Sequence, residues 1–155
     1  LFEDYRWFTV HTFAGHPLGM AAAAANLREM ISMELPKLVE KRGEYLMKEL
    51  KGLEESHKSV GLVEGMGLFC GVDLVRDKET KEPFIKEDRN ALYEGDTTKY
   101  PATIINKKCQ EKGVLVGGVG PNTLRLGPPL TITEEEIDIG IEALDYALKE
   151  LDKMC

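Results

Sequence analysis

A glycine-interrupted apolar stretch near the middle of the 155-residue chain, VGLVEGMGLFCGVDLVRD at 60–77, restricts the possible folds most. Its β-branched and apolar residues favour extended backbone, and four glycines interrupt the run. Glycine allows the tight turns and bulges that other residues resist. The stretch therefore predicts two strands that are joined at a tight or bulged point and pair antiparallel.

Two helices are predicted before this stretch. Pro17 suits a first helical turn, where its missing N–H needs no partner, and an alanine-rich segment follows it. Pro36 begins the second helix, whose apolar residues fall on one stripe. Gly52 and the polar residues after it are expected to end that helix.

The second half of the chain predicts another helix and another strand pair. A helix from Pro101 ends near Gly113, at a position that favours glycine. Short strands are expected at 114–118 and 123–127, with a turn between them. The segment at about 76–100 is polar and rich in turn residues, so we predict a surface excursion with little regular structure.

A last helix is marked by its own start signal. Thr133 and Glu136 have the T-x-x-E spacing of a capping box, and apolar residues then recur every three or four positions. Helices mixed with short, antiparallel strands indicate an α+β fold.

Charge and cysteine content argue against several classes of partner. The net charge of −7 is unlike that of proteins that bind nucleic acid or anionic membranes through clustered Lys and Arg. Cys70, Cys109 and Cys155 are far apart and odd in number, so neither a zinc site nor a disulfide framework is expected. No apolar run is long enough to cross a bilayer. We predict a cytoplasmic protein without a metal.

The glycine clusters do not match nucleotide-binding motifs. The segment GMGLFCG at 65–71 has GxGxxxG spacing and precedes a strand, whereas the dinucleotide fingerprint opens a helix. The segment GVLVGGVG at 113–120 has no following Lys–Ser/Thr, so it is not a P-loop. Structural glycines at bends explain both segments better.

Two residues are candidates for holding an anion. Thr12, in the loop HTFAGHP, could present a hydroxyl beside backbone N–H groups, although a turn or N-cap threonine is the commoner case. Arg125 lies between two leucines in a predicted strand. Arginine is well suited to hold a carboxylate, but an exposed strand arginine is commoner, and spacing does not separate the two.

Three segments, taken in order, resemble the C-terminal third of class III, pyridoxal-phosphate-dependent aminotransferases of fold type I. They are HTFAGHPLGMAAAAANL, LVEGMGLFCGVDLV and GVLVGGVGPNTLRLGPPLTITEEEIDIGIEAL. The family includes 4-aminobutyrate, ornithine, acetylornithine and taurine–pyruvate aminotransferases. The resemblance implies that residues 1–30 are the edge of the large cofactor-binding domain, with the threonine loop and the start of a linking helix. Residues 31–155 would then be the C-terminal small domain, a short antiparallel sheet packed with helices.

The resemblance also implies roles for both anion-binding candidates. Thr12 matches the threonine of the family's T-x-x-G-[NH]-P loop, which bonds the phosphate of pyridoxal phosphate in the other subunit of a homodimer. Arg125 matches the arginine of the R-[LF]-x-P-P-L motif, which in many members binds the substrate carboxylate. The implied reaction moves an amino group from an amino-acid or ω-amino-acid donor to a 2-oxo-acid acceptor.

The chain departs from the family pattern at three points. Glu64 stands where the family's V-R-G-x-G motif has arginine, so that arginine's role is not expected here. His16 replaces a common Asn, a variant of the taurine– and β-alanine–pyruvate branch, which often places its carboxylate-binding arginine elsewhere. The family's Schiff-base lysine lies upstream of the threonine loop and has no counterpart here, so no catalytic residue is assigned.

These departures lead us to expect a fragment that is inactive by itself. The alternatives are a fragment of a same-fold aminomutase, racemase or decarboxylase, and a non-enzymatic α+β interaction domain.

Overall fold

The computed structural model describes residues 11–86 and 97–155, and the chain divides into two compact units, Leu1–Leu35 and Pro36–Cys155. None of the helices in the described part has the length and apolar character needed to cross a membrane. The helices and strands, in chain order, are α1 Pro17–Ser32, α2 Leu35–Ser56, β1 Val60–Met66, β2 Phe69–Asp77, β3 Glu82–Pro83, α3 Pro101–Gln110, β4 Gly117–Gly118, β5 Thr123–Leu126 and α4 Glu134–Leu151. The mixture of helices with one small antiparallel sheet confirms the predicted α+β class.

The described part of the first unit contains a turn followed by α1. His16 is the N-cap of this helix and Pro17 its first residue, as the sequence predicts. Gly15 has a φ of 74°, a left-handed conformation that glycine adopts without steric cost. No side chain of α1 is buried within the chain. The domain boundary near residue 30 remains a prediction.

The second unit is built on the sheet, whose strand order is β1-β2-β5-β4, and β3 pairs with the last part of β2, at Val75 and Asp77. The predicted hairpin is confirmed, because β1 and β2 pair antiparallel around a turn in which Gly67 has a φ of 56°. Val63, Val72 and Leu124 lie side by side on the buried face of the sheet. The opposite face is exposed, which is a usual arrangement for antiparallel sheets.

Three helices, α2, α3 and α4, supply the other half of the core. Their buried side chains join those of the strands in one hydrophobic cluster. The largest fully buried members contributed by the helices are Leu50, Ile105, Leu148 and Leu151.

Gly43 allows α2 to pass directly over the β1–β2 turn. A Cβ added at Gly43 would lie 2.5 Å from the backbone carbon of Gly67, which is closer than van der Waals contact permits. The helix and the turn can therefore pack at this distance only while Gly43 has no side chain.

Helix α2 runs to Ser56 and so ends within the polar segment that was expected to end it. Its last turn is held because Leu53 is buried in the core and Lys78 Nζ donates to the carbonyl oxygens of Glu54 and His57. One predicted boundary was wrong. The strand expected at 114–118 is regular only over Gly117–Gly118. At the surface excursion, β2 continues to Asp77 and pairs with Glu82–Pro83, while residues 87–96 lie outside the described residues.

Candidate functional site

Arg125 occupies β5, a central strand of the sheet. Its cross-strand neighbours are Gly71 on β2 and Gly117 on β4, so no side chain stands directly beside it on either strand. Arg125 is exposed, and within the described residues it forms no ion pair. The strand predicted around Arg125 is confirmed, and this arginine is available to bind an anion.

A cavity of about 640 Å³ lies beside Arg125, between the end of β5 and helix α4. Most of its described lining is apolar, including Leu46, Val116 and Ile137. Of the described lining residues, Arg125 and Glu136 are the charged ones. Because apolar walls hold little water, a charged contact at the edge of this cavity is stronger than one in bulk solvent.

The loop after β5 is fixed by an arginine from another element. Arg42 of α2 donates through Nη1 to the carbonyl oxygen of Thr131 at 2.8 Å and also to that of Ile132. This contact holds the segment between the two prolines of the RLGPPL motif and the start of α4. Arg42 was missed by the sequence reasoning, because a helix arginine carries no local signal of a partner about 90 residues away.

The start of α4 is closed by the capping box that the sequence predicts. Thr133 Oγ1 accepts a hydrogen bond from the Glu136 N–H, and Glu136 Oε2 accepts one from the Thr133 N–H at 2.8 Å. The Glu136 carboxylate at the cavity is therefore already engaged. Arg125 is left as the charged group there that can take a ligand.

Glu64 lies in the same row of the sheet as Arg125. Glu64 on β1 pairs with Gly71, and Gly71 pairs with Arg125. Directly opposed residues in neighbouring antiparallel strands place their side chains on the same face. Glu64 is thus on the same exposed face as Arg125.

Thr12 lies in the turn of the first unit. Ala14 N–H donates to the His11 carbonyl at 2.9 Å and His16 N–H donates to the Phe13 carbonyl at 3.1 Å. Thr12 is exposed, and it is a turn residue, since the N-cap of α1 is His16. Its hydroxyl can donate a hydrogen bond to a phosphate oxygen, so this residue fits a phosphate group.

Cysteine and metal chemistry find little support in the described residues. Burial raises the pKa of the Cys109 thiol to about 11 and also raises that of Cys70, which keeps both protonated and unreactive. No group of three or more His, Cys, Asp or Glu side chains in residues 11–86 and 97–155 could hold a metal ion.

Comparison with known proteins identifies the family. The model of the family "Aminotransferase class-III" matches residues 8–148. Among curated relatives, the leucine/methionine racemase of Thermococcus litoralis is 34% identical over 142 residues, covering 92% of this chain and 29% of the racemase. The taurine–pyruvate aminotransferase of Rhodobacter capsulatus is 36% identical over 148 residues, with coverages of 92% and 29%. This chain thus spans less than a third of the length of both.

Solved structures agree with these matches. An S-selective transaminase from Arthrobacter sp. superposes with a TM-score of 0.87 and 43% identity, covering 97% of this chain and 32% of that one. An S-selective transaminase from Bacillus megaterium superposes with the same TM-score and 44% identity, with coverages of 97% and 32%. The fold is that of part of a fold type I transaminase. The chain belongs to the class III aminotransferase family.

Proposed function

We propose that this chain serves an aminotransferase that moves an amino group from an amino acid or ω-amino acid to a 2-oxo acid. The observation that carries the proposal is the position of Arg125, which is exposed, flanked by glycines and beside an apolar cavity. The proposal concerns a whole protein in which the remainder of the family's length accompanies these residues.

In this proposal Arg125 binds the substrate carboxylate. Its planar guanidinium can donate two parallel hydrogen bonds to the two carboxylate oxygens, which fixes both the position and the orientation of a substrate. Gly71 and Gly117 leave space for a ligand directly above the strands. Arg42 supports this geometry because it holds the loop that follows Arg125.

Pyridoxal phosphate is the cofactor that the family implies, and when bound it would supply an aldehyde that takes up and releases the amino group, with a ring that accepts electrons. We propose that the Thr12 hydroxyl donates a hydrogen bond to its phosphate, in the partner subunit of a homodimer. The exposed apolar residues Phe13, Leu18 and Ile31 support burial of this unit by further protein. No residue of this chain is assigned to the catalytic step, and we expect the 155 residues alone to be inactive.

A cytoplasmic location is also part of the proposal. Its support is the predicted absence of a disulfide framework, together with the three free thiols Cys70, Cys109 and Cys155.

The similarity to a leucine/methionine racemase favours racemisation as a second candidate. The two reactions are separated by assaying the whole enzyme with L-leucine, with and without pyruvate. An aminotransferase forms alanine and requires pyruvate as acceptor. A racemase destroys the optical purity of leucine without any acceptor.

The role of Arg125 is tested by Arg125→Lys in the whole enzyme. Lysine keeps the charge but loses the two-pronged geometry, so kcat/KM should fall several-fold or more for donors with a carboxylate and less for amines without one. Arg76→Lys is the matched control, because Arg76 is also an exposed strand arginine but stacks on the ring of Phe84. Equal losses for both kinds of donor would contradict the proposal.

A further inference from the structure

A short loop at 127–132 forms one wall of the cavity beside Arg125. It joins the end of β5 to the residue that caps α4. Four residues of this 127–132 loop line the cavity together with Arg125, namely Gly127, Pro128, Pro129 and Ile132. The position of the loop therefore decides the shape of the space in which a ligand of Arg125 must fit.

The backbone of the 127–132 loop has few hydrogen-bond donors of its own. Pro128 and Pro129 have no N–H. The Ile132 N–H donates to the carbonyl oxygen of Pro129 at 2.9 Å, which closes a turn within the loop. That turn fixes the shape of the loop, but it does not fix the place of the loop relative to the helices.

Arg42 joins the loop to another element. This residue of α2 is half-buried, and its Nη1 donates to the carbonyl oxygen of Thr131 at 2.8 Å and to that of Ile132. Hydrogen bonds from a charged donor are stronger than those between neutral groups. Leu46, four residues later on the same face of α2, lines the cavity. One face of α2 thus lines the cavity and also holds the loop that forms its wall.

Two further contacts join α2 to α4 without involving the loop. Tyr45 Oη donates to Oδ1 of Asp138 at 2.6 Å, and Lys41 Nζ lies 3.4 Å from Oε1 of Glu134. Asp138 and Glu134 both belong to α4 itself. Arg42 differs from Tyr45 and Lys41 because it bonds the backbone of the loop. The hold on the loop can therefore be tested separately from the packing of α2 on α4.

We infer that Arg42 is a positioning residue, which holds the 127–132 loop in the place that lets Arg125 bind a carboxylate tightly. The inference rests on the proposed function of Arg125. A guanidinium binds a carboxylate well only when both oxygens reach their donors, and a wall that moves by about 1 Å disturbs that fit. In this role Arg42 does not contact the substrate. Its loss weakens carboxylate binding through the loop while Arg125 keeps its place in the chain.

The inference is tested by Arg42→Met in the whole enzyme with its cofactor. Methionine keeps the apolar stem of the side chain and removes the donors to the two carbonyl oxygens. The dissociation constant for propionate, an unreactive carboxylate probe measured by ligand-detected NMR, should rise about three- to tenfold. The KM for 2-aminobutane, an amine without a carboxylate, should stay close to that of the wild type. Unchanged propionate binding in Arg42→Met would overturn the inference.

Arg42→Lys is the conservative variant. Lysine keeps the charge and can reach a carbonyl oxygen, but it lacks the planar fork of arginine. Its dissociation constant for propionate should lie between those of Arg42→Met and the wild type. If Arg42→Met does not fold, a wild-type affinity for propionate in Arg42→Lys would overturn the inference.

Tyr45→Phe is the matched control, because it removes a hydrogen bond between α2 and α4 and leaves Arg42 on the loop. This variant should leave propionate binding unchanged. An equal weakening in Tyr45→Phe would contradict the inference, because looser packing of the two helices would then explain both results.

The double variant of Arg42→Met and Arg125→Lys separates this inference from the proposed function. The inference predicts that Arg42→Met weakens propionate binding by a smaller factor in the Arg125→Lys background than in the wild type, because both changes remove the same interaction. If Arg125→Lys alone binds propionate as well as the wild type does, the proposed role of Arg125 has failed, and the inference fails with it. If Arg125→Lys weakens binding and Arg42→Met adds the same factor in both backgrounds, the role of Arg125 stands and Arg42 does not act through it.

Discussion

Nδ1 of the buried His57 lies 2.7 Å from Oδ2 of Asp152, and this contact joins the residue after α2 to the residue after α4. Nε2 of the same ring lies 3.2 Å from Oδ1 of Asp145. The second oxygen of Asp152 accepts a hydrogen bond from the Ser59 N–H at 3.0 Å. One carboxylate and one imidazole thus connect α2, α4 and the segment that leads into β1.

Asp152→Asn should lower the free energy of unfolding by about 1–3 kcal/mol, because His57 loses the nearer of its two carboxylate partners where water has little access. His57 is only 4% exposed, whereas Asp152 keeps some contact with solvent, which limits the loss. Urea denaturation measures the change. Glu150→Gln, which breaks the exposed pair with Lys153, is the control and should cost less than about 1 kcal/mol. Similar losses in both variants would contradict this prediction.

Acid should also lower the free energy of unfolding, because Asp152 and Asp145, the two carboxylates that contact His57, become protonated. Burial would raise the pKa of Asp152, but hydrogen bonds from Ser59 and His57 outweigh it and lower that pKa. The hydrogen bond from Lys149 lowers the pKa of Asp145. A lowered pKa in the folded state contributes stability above the unfolded value of about 3.9, and this is lost as pH falls through the folded pKa.

The free energy of unfolding, measured by urea denaturation from pH 6 to pH 3, should therefore decline below about pH 4. The free energy of unfolding of Asp152→Asn should decline less steeply with falling pH, because this variant lacks one of the carboxylates that acid protonates. Identical slopes for the wild type and the variant would exclude Asp152 as a source of the acid sensitivity.

Alanine substitutions at two glycines of α2, Gly43 and Gly52, should change the stability of the fold in opposite directions. At Gly43 the added methyl group would meet the backbone of Gly67 at 2.5 Å, and we expect a loss of about 2 kcal/mol or more from overpacking. Gly52 is exposed with no atom near its Cβ direction, so Gly52→Ala should gain about 0.5–1 kcal/mol from helix propensity. Thermal unfolding of both variants tests the pair, and a gain in stability at Gly43 would contradict it.

The sequence predicts the features that depend on neighbours along the chain. The hairpin with Gly67 and the capping box of Thr133 are local, and the structure confirms both. The end of α2 is not local, because the carbonyl oxygens of its last turn and of the residue after it accept hydrogen bonds from Lys78, about 20 residues later. The sequence pattern therefore predicts an end within Gly52 and the polar residues after it, but it does not predict the contact from Lys78.

The candidate site around Arg125 also combines a feature that the local sequence predicts with features that depend on distant contacts. The type of residue at Arg125 suggests an anion, but strand register alone places Glu64 in its row. Register depends on how three strands pair, and it is not encoded in the spacing of 61 positions between these two residues. The contact from Arg42 to the loop before α4 is equally invisible in the sequence, because it joins distant segments.

Removing the N-cap of α4 should destabilise the chain. Thr133→Ala loses the side-chain acceptor for the Glu136 N–H, and the expected change in the free energy of unfolding is about 1 kcal/mol. Hydrogen exchange at the Glu136 amide should become faster. Thr131→Ala is the control, since Thr131 contacts Arg42 through its backbone carbonyl, which the substitution keeps. A larger loss from Thr131→Ala would contradict the assigned cap.

Thr12→Ala in the whole enzyme should weaken retention of pyridoxal phosphate. A hydrogen bond to a charged acceptor contributes roughly 1.5 kcal/mol or more, so the dissociation constant should rise about tenfold. Thr12→Ser keeps a hydroxyl on the exposed turn and should largely retain the affinity. Pyridoxal, which lacks the phosphate, should bind Thr12→Ala and the wild type equally well. If equilibrium dialysis shows the same loss for pyridoxal as for pyridoxal phosphate, Thr12 acts on the turn and not on the phosphate.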